Sequence, residues 1–252
     1  MIYVSTIQFK ADYGNPVKNR DALVKICEKA VEDNSSVLVL PELCITGYIW
    51  PDREIIYSLA EPSKGESFHI FSEFCKNNGC YMAYGFAERD TSTGLLFNSQ
   101  NFINPAGDLL ATYRKVHLFE LDYFWAAPGK SGFMTIDTSL GRFGLGICMD
   151  LNYDGFINFH KEMNTDWLLF STNWLEQGIN VHDYWLSRFN GFKGSAFMSN
   201  TYGFEYNIEF CGQSSVYESG QFIAKGPRDI AAVLITGHDE RKHRAITQTI
   251  PS

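Results

Sequence analysis

Phe143-Gly144-Leu145-Gly146-Ile147-Cys148-Met149-Asp150 is an apolar run, thinned by two glycines, that breaks off at a cysteine and an aspartate. The run reads as a strand, and its glycines allow close approach by a neighbouring backbone. Asp150, Asn152 and Asp154 then favour a turn into a helix. A cysteine at such a bend has two readings. It is either a small core-filling side chain or an exposed nucleophile, where backbone N–H groups can point at an oxyanion and a positive neighbour can stabilise the thiolate.

Working outward, strand and helix patterns alternate. Ile2 to Phe9 reads as a strand, Val17 to Asp33 as an amphipathic helix carrying Leu23, Ile26, Cys27 and Ala30, and Val37 to Leu40 as a short, doubly buried strand. A helix from Ser67 to Asn77 stops at Asn78-Gly79. Strands follow at 80–87, 95–103 and 109–115, the last two joined by the turn Asn104-Pro105-Ala106-Gly107-Asp108. In the second half, the strand at 143–149 leads into a helix over 152–163, a strand at 167–172, a helix over 182–192 and a strand at 196–201. Short strands at 212–217, 221–224 and 230–236 finish the pattern. This order predicts an α/β fold of two related halves, each a sheet covered by helices on one side. Two mixed sheets face to face with helices outside make a four-layer α-β-β-α sandwich. One domain is expected over residues 1–240, with a tail from 241 to 252.

Two further segments bear on chemistry. Val37-Leu38-Val39-Leu40-Pro41-Glu42 is an apolar strand ending in a carboxylate, followed by the largely apolar Leu43-Cys44-Ile45-Thr46-Gly47-Tyr48. A solvated turn carboxylate is the plain reading of Glu42. Its apolar flanks argue for partial burial, which raises a carboxylate pKa and suits a general base. Tyr113-Arg114-Lys115-Val116-His117-Leu118-Phe119 sets a lysine among aromatics. Most lysines are solvated, but a lysine near a thiol can hold thiolate and oxyanion. His117 offers a weaker alternative as partner of Cys148. A thiol, an acid and an ammonium at strand ends are the parts needed to cleave an amide through a thioester. Gly144-Leu145-Gly146 resembles a dinucleotide loop only in part, since the third glycine is missing.

Bulk properties narrow the field. A formal net charge of −8 over 252 residues argues against a general nucleic-acid binder. The basic cluster Arg241-Lys242-His243-Arg244 reads as a solvated tail. No run approaches the apolar length of a membrane span, and the N-terminus alternates like a strand rather than a signal peptide. The expected location is therefore cytoplasmic, with the six cysteines as thiols and Asn34-Ser35-Ser36 a chance sequon. No C-x-x-C is present, so no metal site is expected.

Together, Pro41-Glu42-Leu43 with Thr46-Gly47-Tyr48, then Tyr113 to Phe119, then Gly146-Ile147-Cys148-Met149-Asp150 resemble the nitrilase (carbon–nitrogen hydrolase) superfamily in order and spacing. Pro128-Gly129, Ser171-Thr172-Asn173-Trp174 and Gly212-Gln213-Ser214-Ser215 extend the likeness, which covers residues 1 to about 236. The resemblance implies a Glu-Lys-Cys triad: Glu42 as general base, Lys115 at the oxyanion, Cys148 as nucleophile, and the Met149 N–H as a second oxyanion donor. It also implies a homodimer or higher homo-oligomer, and no cofactor. Many members carry a further glutamate after the lysine. Here Glu120 and Asp122 both stand as candidates, because the stretch departs from the common spacing.

Cys148-Met149-Asp150-Leu151-Asn152 and Lys115 to Glu120 are similar to the branch acting on N-terminal Asn and Gln of proteins. The substrate implied is a small-molecule amide or such a peptide N-terminus. Tyr48, Trp125, Trp174 and Tyr184 suit a compact, partly apolar pocket, with Asn173 beside them. An N-carbamoyl amine hydrolase, a nitrilase and a non-catalytic binding protein remain as alternatives.

Overall fold

The computed structural model describes residues 1–238 and 244–249, the side chains of 244–247 excepted. The first half runs β1 (Ile2–Gln8), α1 (Pro16–Glu32), β2 (Val37–Val39), α2 (Arg53–Leu59), α3 (Glu66–Asn78), β3 (Tyr81–Arg89), β4 (Leu96–Ile103) and β5 (Leu109–Arg114). Next come β6 (Thr135–Thr138), β7 (Gly141–Ile147), α4 (Asp154–Glu162), β8 (Trp167–Thr172), α5 (Val181–Arg188) and β9 (Ser195–Asn200). The chain continues through β10 (Tyr202–Glu205), β11 (Ile208–Cys211), β12 (Ser215–Glu218), β13 (Gln221–Lys225), β14 (Ala232–His238) and β15 (Arg244–Thr249).

These elements form the expected α/β architecture with two large mixed sheets. One has the order β15-β14-β1-β2-β3-β4-β5, the other β13-β12-β9-β8-β7-β6. Each is parallel at its centre, β1-β2-β3 and β7-β8-β9, and antiparallel at its flanks. The parallel pairs need crossovers, and α1, α3, α4 and α5 supply them. α1 starts at Asn15, whose side chain accepts from Lys18 N, with Pro16 in the first turn. α3 ends at Gly79, whose φ of 64° is the left-handed cap that glycine adopts freely.

Period-two alternation assigns the layers. Leu38, Leu40, Met82 and Tyr84 pack against Leu23, Ile26 and Cys27 of α1 and Phe71, Phe74 and Cys75 of α3. Their neighbours Val37, Val39, Tyr81 and Ala83 turn inward and share a core with Phe143, Leu145 and Ile147 of β7. At the carboxyl ends of the strands the space between sheets becomes polar. The Ser171 hydroxyl donates to Leu40 O at 2.7 Å and Thr201 to Phe9 O at 3.0 Å. Gln100 Nε2 donates to Ser171 Oγ at 2.7 Å. These bonds tie the ends of β1, β2, β8 and β9 beside the site, where Glu42 follows β2, Lys115 follows β5, Cys148 follows β7 and Asn173 follows β8.

Five elements lie outside the sequence-based reading: α2, β6, the paired strands β10 and β11, and β15. The segment set apart as a tail contributes β15, which pairs antiparallel with β14 from Arg244 to Thr249. Residues 241–243 of the basic cluster lie outside the described residues. Among those described, no helix is long and apolar enough to cross a membrane.

Candidate active site

β7 ends at Ile147, and Cys148 opens a short 3-10 turn that runs to Asn152. Cys148 has φ +41°, a left-handed conformation that costs an L-residue about 1–2 kcal/mol. Asp150 fixes this bend. Its Oδ2 accepts from Ile147 N at 3.1 Å and from the Tyr113 hydroxyl at 2.7 Å, and its Oδ1 accepts from His117 N at 2.9 Å. One buried carboxylate thereby joins the cysteine turn to the segment that carries Lys115. The glycines of β7 serve α4: a Cβ at Gly144 would lie 2.5 Å from the His160 ring, and one at Gly146 would lie 2.3 Å from Phe156.

Glu42 and Lys115 are both withdrawn from solvent. Glu42 Oε1 accepts from Lys115 Nζ at 2.7 Å and from Asn98 Nδ2 at 2.7 Å, while Oε2 accepts from Asn173 N at 2.8 Å. Asn173 Nδ2 returns to Glu42 O at 2.9 Å. Lys115 Nζ also donates to Asp122 Oδ2 at 2.7 Å, and Asp122 Oδ1 takes the second Asn98 amide bond at 3.2 Å. Two carboxylates, one ammonium and one amide thus close a buried ring. Gly85 makes room for it, since a Cβ there would sit 2.6 Å from Glu42 Cα. Gly129 does the same for the lysine segment: its N–H donates to Lys115 O at 2.8 Å, and a Cβ would meet Arg114 O at 2.2 Å.

Cys148 lines a cavity of about 160 Å³ with Tyr48, Met149, Asn173 and Trp174. Phe119, Asn152, Leu175, Gln177 and Tyr184 complete the wall, and the Tyr184 hydroxyl donates to Asn152 Oδ1 at 2.7 Å. A larger hollow of about 360 Å³ beside His160 and Gly191 holds none of these groups. Tyr48 is held from behind, because Glu205 accepts from its N–H at 2.8 Å.

Burial and then the Glu42 charge hold the Cys148 thiol above its ordinary range. Lys115, the Thr172 hydroxyl and the Asn173 N–H pull the other way. Burial also keeps the Glu42 carboxyl above its usual range, outweighing the Lys115 ammonium. For Lys115, burial alone would depress the ammonium, but Asp122 and Glu42 reverse this and keep it charged. Burial pushes Asp150 up to about 6 against its three donors. The arrangement couples a protonated thiol to a carboxylate able to receive its proton, beside a cation that stays charged.

Of the cavity residues singled out from the sequence, Tyr48, Cys148, Met149, Asn173, Trp174 and Tyr184 are at the wall, with Glu42 and Lys115 behind it, and Trp125 is not. Of the two acidic candidates, Asp122 is buried on Lys115 and Glu120 is exposed. His117 stacks on Tyr153 with centroids 3.6 Å apart and is not part of the wall. Trp125 packs in a separate apolar cluster that includes Leu43 and Tyr48. Sequence reasoning passed over Asn98 and the role of Asp150. The signal for Asn98 was present: Asn98-Ser99-Gln100-Asn101 is a polar run inside an otherwise apolar strand, and all four are buried.

The sequence pattern of the carbon-nitrogen hydrolase family matches residues 4–245. The chain is 29% identical over 259 residues to the Protein N-terminal amidase of Schizosaccharomyces pombe, covering 85% of this chain and 90% of that one. It is 26% identical over 260 residues to the 2-oxoglutaramate amidase of Bacillus subtilis, covering 98% and 95%. Among solved structures, an amidase from Nesterenkonia sp. superposes with a TM-score of 0.82 at 18% identity, over 93% of this chain and 89% of that one. In another structure of that amidase, a glutamate-to-glutamine variant, acrylamide has added to the active-site cysteine.

Proposed function

The chain belongs to the carbon-nitrogen hydrolase family, and on that premise we propose that it hydrolyses a carboxamide to carboxylate and ammonia through a thioester on Cys148. The observation that carries this reading is the buried ion pair of Lys115 and Glu42 beside the one cysteine that lines the cavity. Cys148 is 8% exposed, whereas the other five thiols are 2% exposed or less.

Glu42 takes the thiol proton as sulfur attacks the amide carbonyl. Lys115 and the Met149 N–H hold the oxyanion. As the intermediate collapses, Glu42 returns the proton to the departing nitrogen and ammonia leaves. A water then attacks the thioester and gives its proton to Glu42. The acyl group leaves as a carboxylate, and the proton returns to Cys148. Asp122 keeps Lys115 charged and oriented throughout. The Nesterenkonia adduct supports the nucleophile assignment by likeness of fold. The protein N-terminal amidase and the 2-oxoglutaramate amidase, each matched over 85% or more of this chain, support an amide substrate.

The test is ammonia release from short amides and from peptides beginning with Asn or Gln, by the wild type, Cys148→Ala and Glu42→Gln. Loss in both variants with the fold intact supports the reading. Undiminished release in either contradicts its assigned role. Homodimerisation through the outer helices and a cytoplasmic location belong to the same proposal. Sedimentation and fractionation of the native protein test them.

A further inference from the structure

The wall of the cavity carries a selectivity that the family assignment leaves open. Ten side chains line it, and among these described residues none is a lysine, arginine, histidine, aspartate or glutamate. The nearby cations are already engaged. Lys115 is held between Glu42 and Asp122, each at 2.7 Å. Arg188 donates to Leu151 O at 2.8 Å and pairs with Asp154 at 2.7 Å. Arg228 pairs with Glu176, which stands between the wall residues Leu175 and Gln177 in sequence, at 2.6 Å and with Glu209 at 2.9 Å.

The charge behind the cavity has a sign. Glu42, Asp122, Lys115 and Cys148 share two carboxylates, one ammonium and one transferable proton. With both carboxylates ionised and the proton on the thiol, the formal charge of the cluster is negative, and its single cation is already paired twice. A carboxylate entering this space would be desolvated without a partner cation and placed in a repulsive field. Tyr48, Phe119, Trp174 and Tyr184 give the wall aromatic surface that carries no formal charge to pair with an anion.

We propose that the site selects amides whose acyl group bears no negative charge and rejects those with a carboxylate on the acyl chain. This rests on the amidase reading above and adds its substrate class. The same field opposes retention of the carboxylate product, so the selectivity that excludes an anionic substrate also helps the product leave.

Matched pairs test the claim. Succinamate carries a carboxylate where butanamide carries a methyl group, and glutaramate relates to pentanamide in the same way. Ammonia release is followed at pH 7.5 with Cys148→Ala as the blank. The uncharged member of each pair is expected to show a kcat/KM roughly 30-fold higher or more, the scale of an unpaired desolvated charge. Gln177→Arg, which sets a cation on the wall, is expected to raise the succinamate-to-butanamide ratio. Equal or faster turnover of the anionic members overturns the selectivity and leaves the amidase reading standing. An unchanged ratio in Gln177→Arg also counts against its electrostatic origin. Silence on all four amides overturns this inference, and the amidase reading falls with it only if peptides beginning with Asn or Gln are also left intact.

Discussion

Lys115 and Glu42, 73 residues apart in sequence, meet as an ion pair of 2.7 Å with both side chains fully withdrawn from solvent. Such a pair holds because every charge in it has a second partner: Asp122 for the ammonium, Asn98 and the Asn173 N–H for the carboxylate. Removing one member strands the others.

Lys115→Ala therefore leaves two carboxylates facing each other in the interior. The expected cost is about 3–5 kcal/mol, the usual scale for an uncompensated buried charge. Urea denaturation checks it. Turnover is expected to vanish as well, and a fold of wild-type stability would contradict the geometry.

Cys148 trades stability for position. With φ at +41°, glycine at this position relieves strain that alanine retains. Cys148→Gly is expected to be more stable than Cys148→Ala by about 1 kcal/mol, with both inactive. Thermal unfolding of the two variants measures the difference. Equal stability would mean that the bend is not strained in solution.

The acidic pair after the lysine separates cleanly. Asp122→Asn removes a charge from Lys115 and from the Asn98 bridge, so kcat is expected to fall by about 100-fold or more. Glu120 is exposed, and Glu120→Gln is expected to stay near wild type. Steady-state kinetics on both variants decide it, and the reverse order would reject the assignment.

The sequence was legible up to the acidic pair after the lysine. The thiol, acid and lysine were readable because each closes a short motif at a strand end, and the alternation of apolar residues carried both sheets. The choice between Glu120 and Asp122 depends on a 3-10 turn that turns residue 122 inward, a matter of backbone path rather than composition. The β10–β11 hairpin was missed for a similar reason. Glu205 and Glu209 break its apolar pattern, and both are satisfied by distant partners, the Tyr48 N–H and Arg228. β15 needed β14 as a template, and its polar residues Thr247, Gln248 and Thr249 suit an edge strand as well as a tail.

Asp150 gives the fold a pH signature. Its folded pKa of about 6 lies above that of an unfolded aspartate, so the native state binds the proton more tightly. Its ionisation disfavours folding as pH rises through 6, and the penalty is relieved as pH falls. Measured against Asp150→Asn, wild-type stability is expected to gain about 1 kcal/mol on going from pH 8 to pH 5. Paired urea titrations at the two pH values test it, and a change of opposite sign would show that Asp150 is not the strained carboxylate described here.

The most direct test of the central claim is the intact mass of the protein mixed with a short amide and quenched within the first turnovers. The account predicts an added acyl mass, mapped by peptide digestion to Cys148 and absent from Cys148→Ala, formed with ammonia release. Ammonia without a Cys148-dependent adduct, or an adduct on another residue, would contradict it.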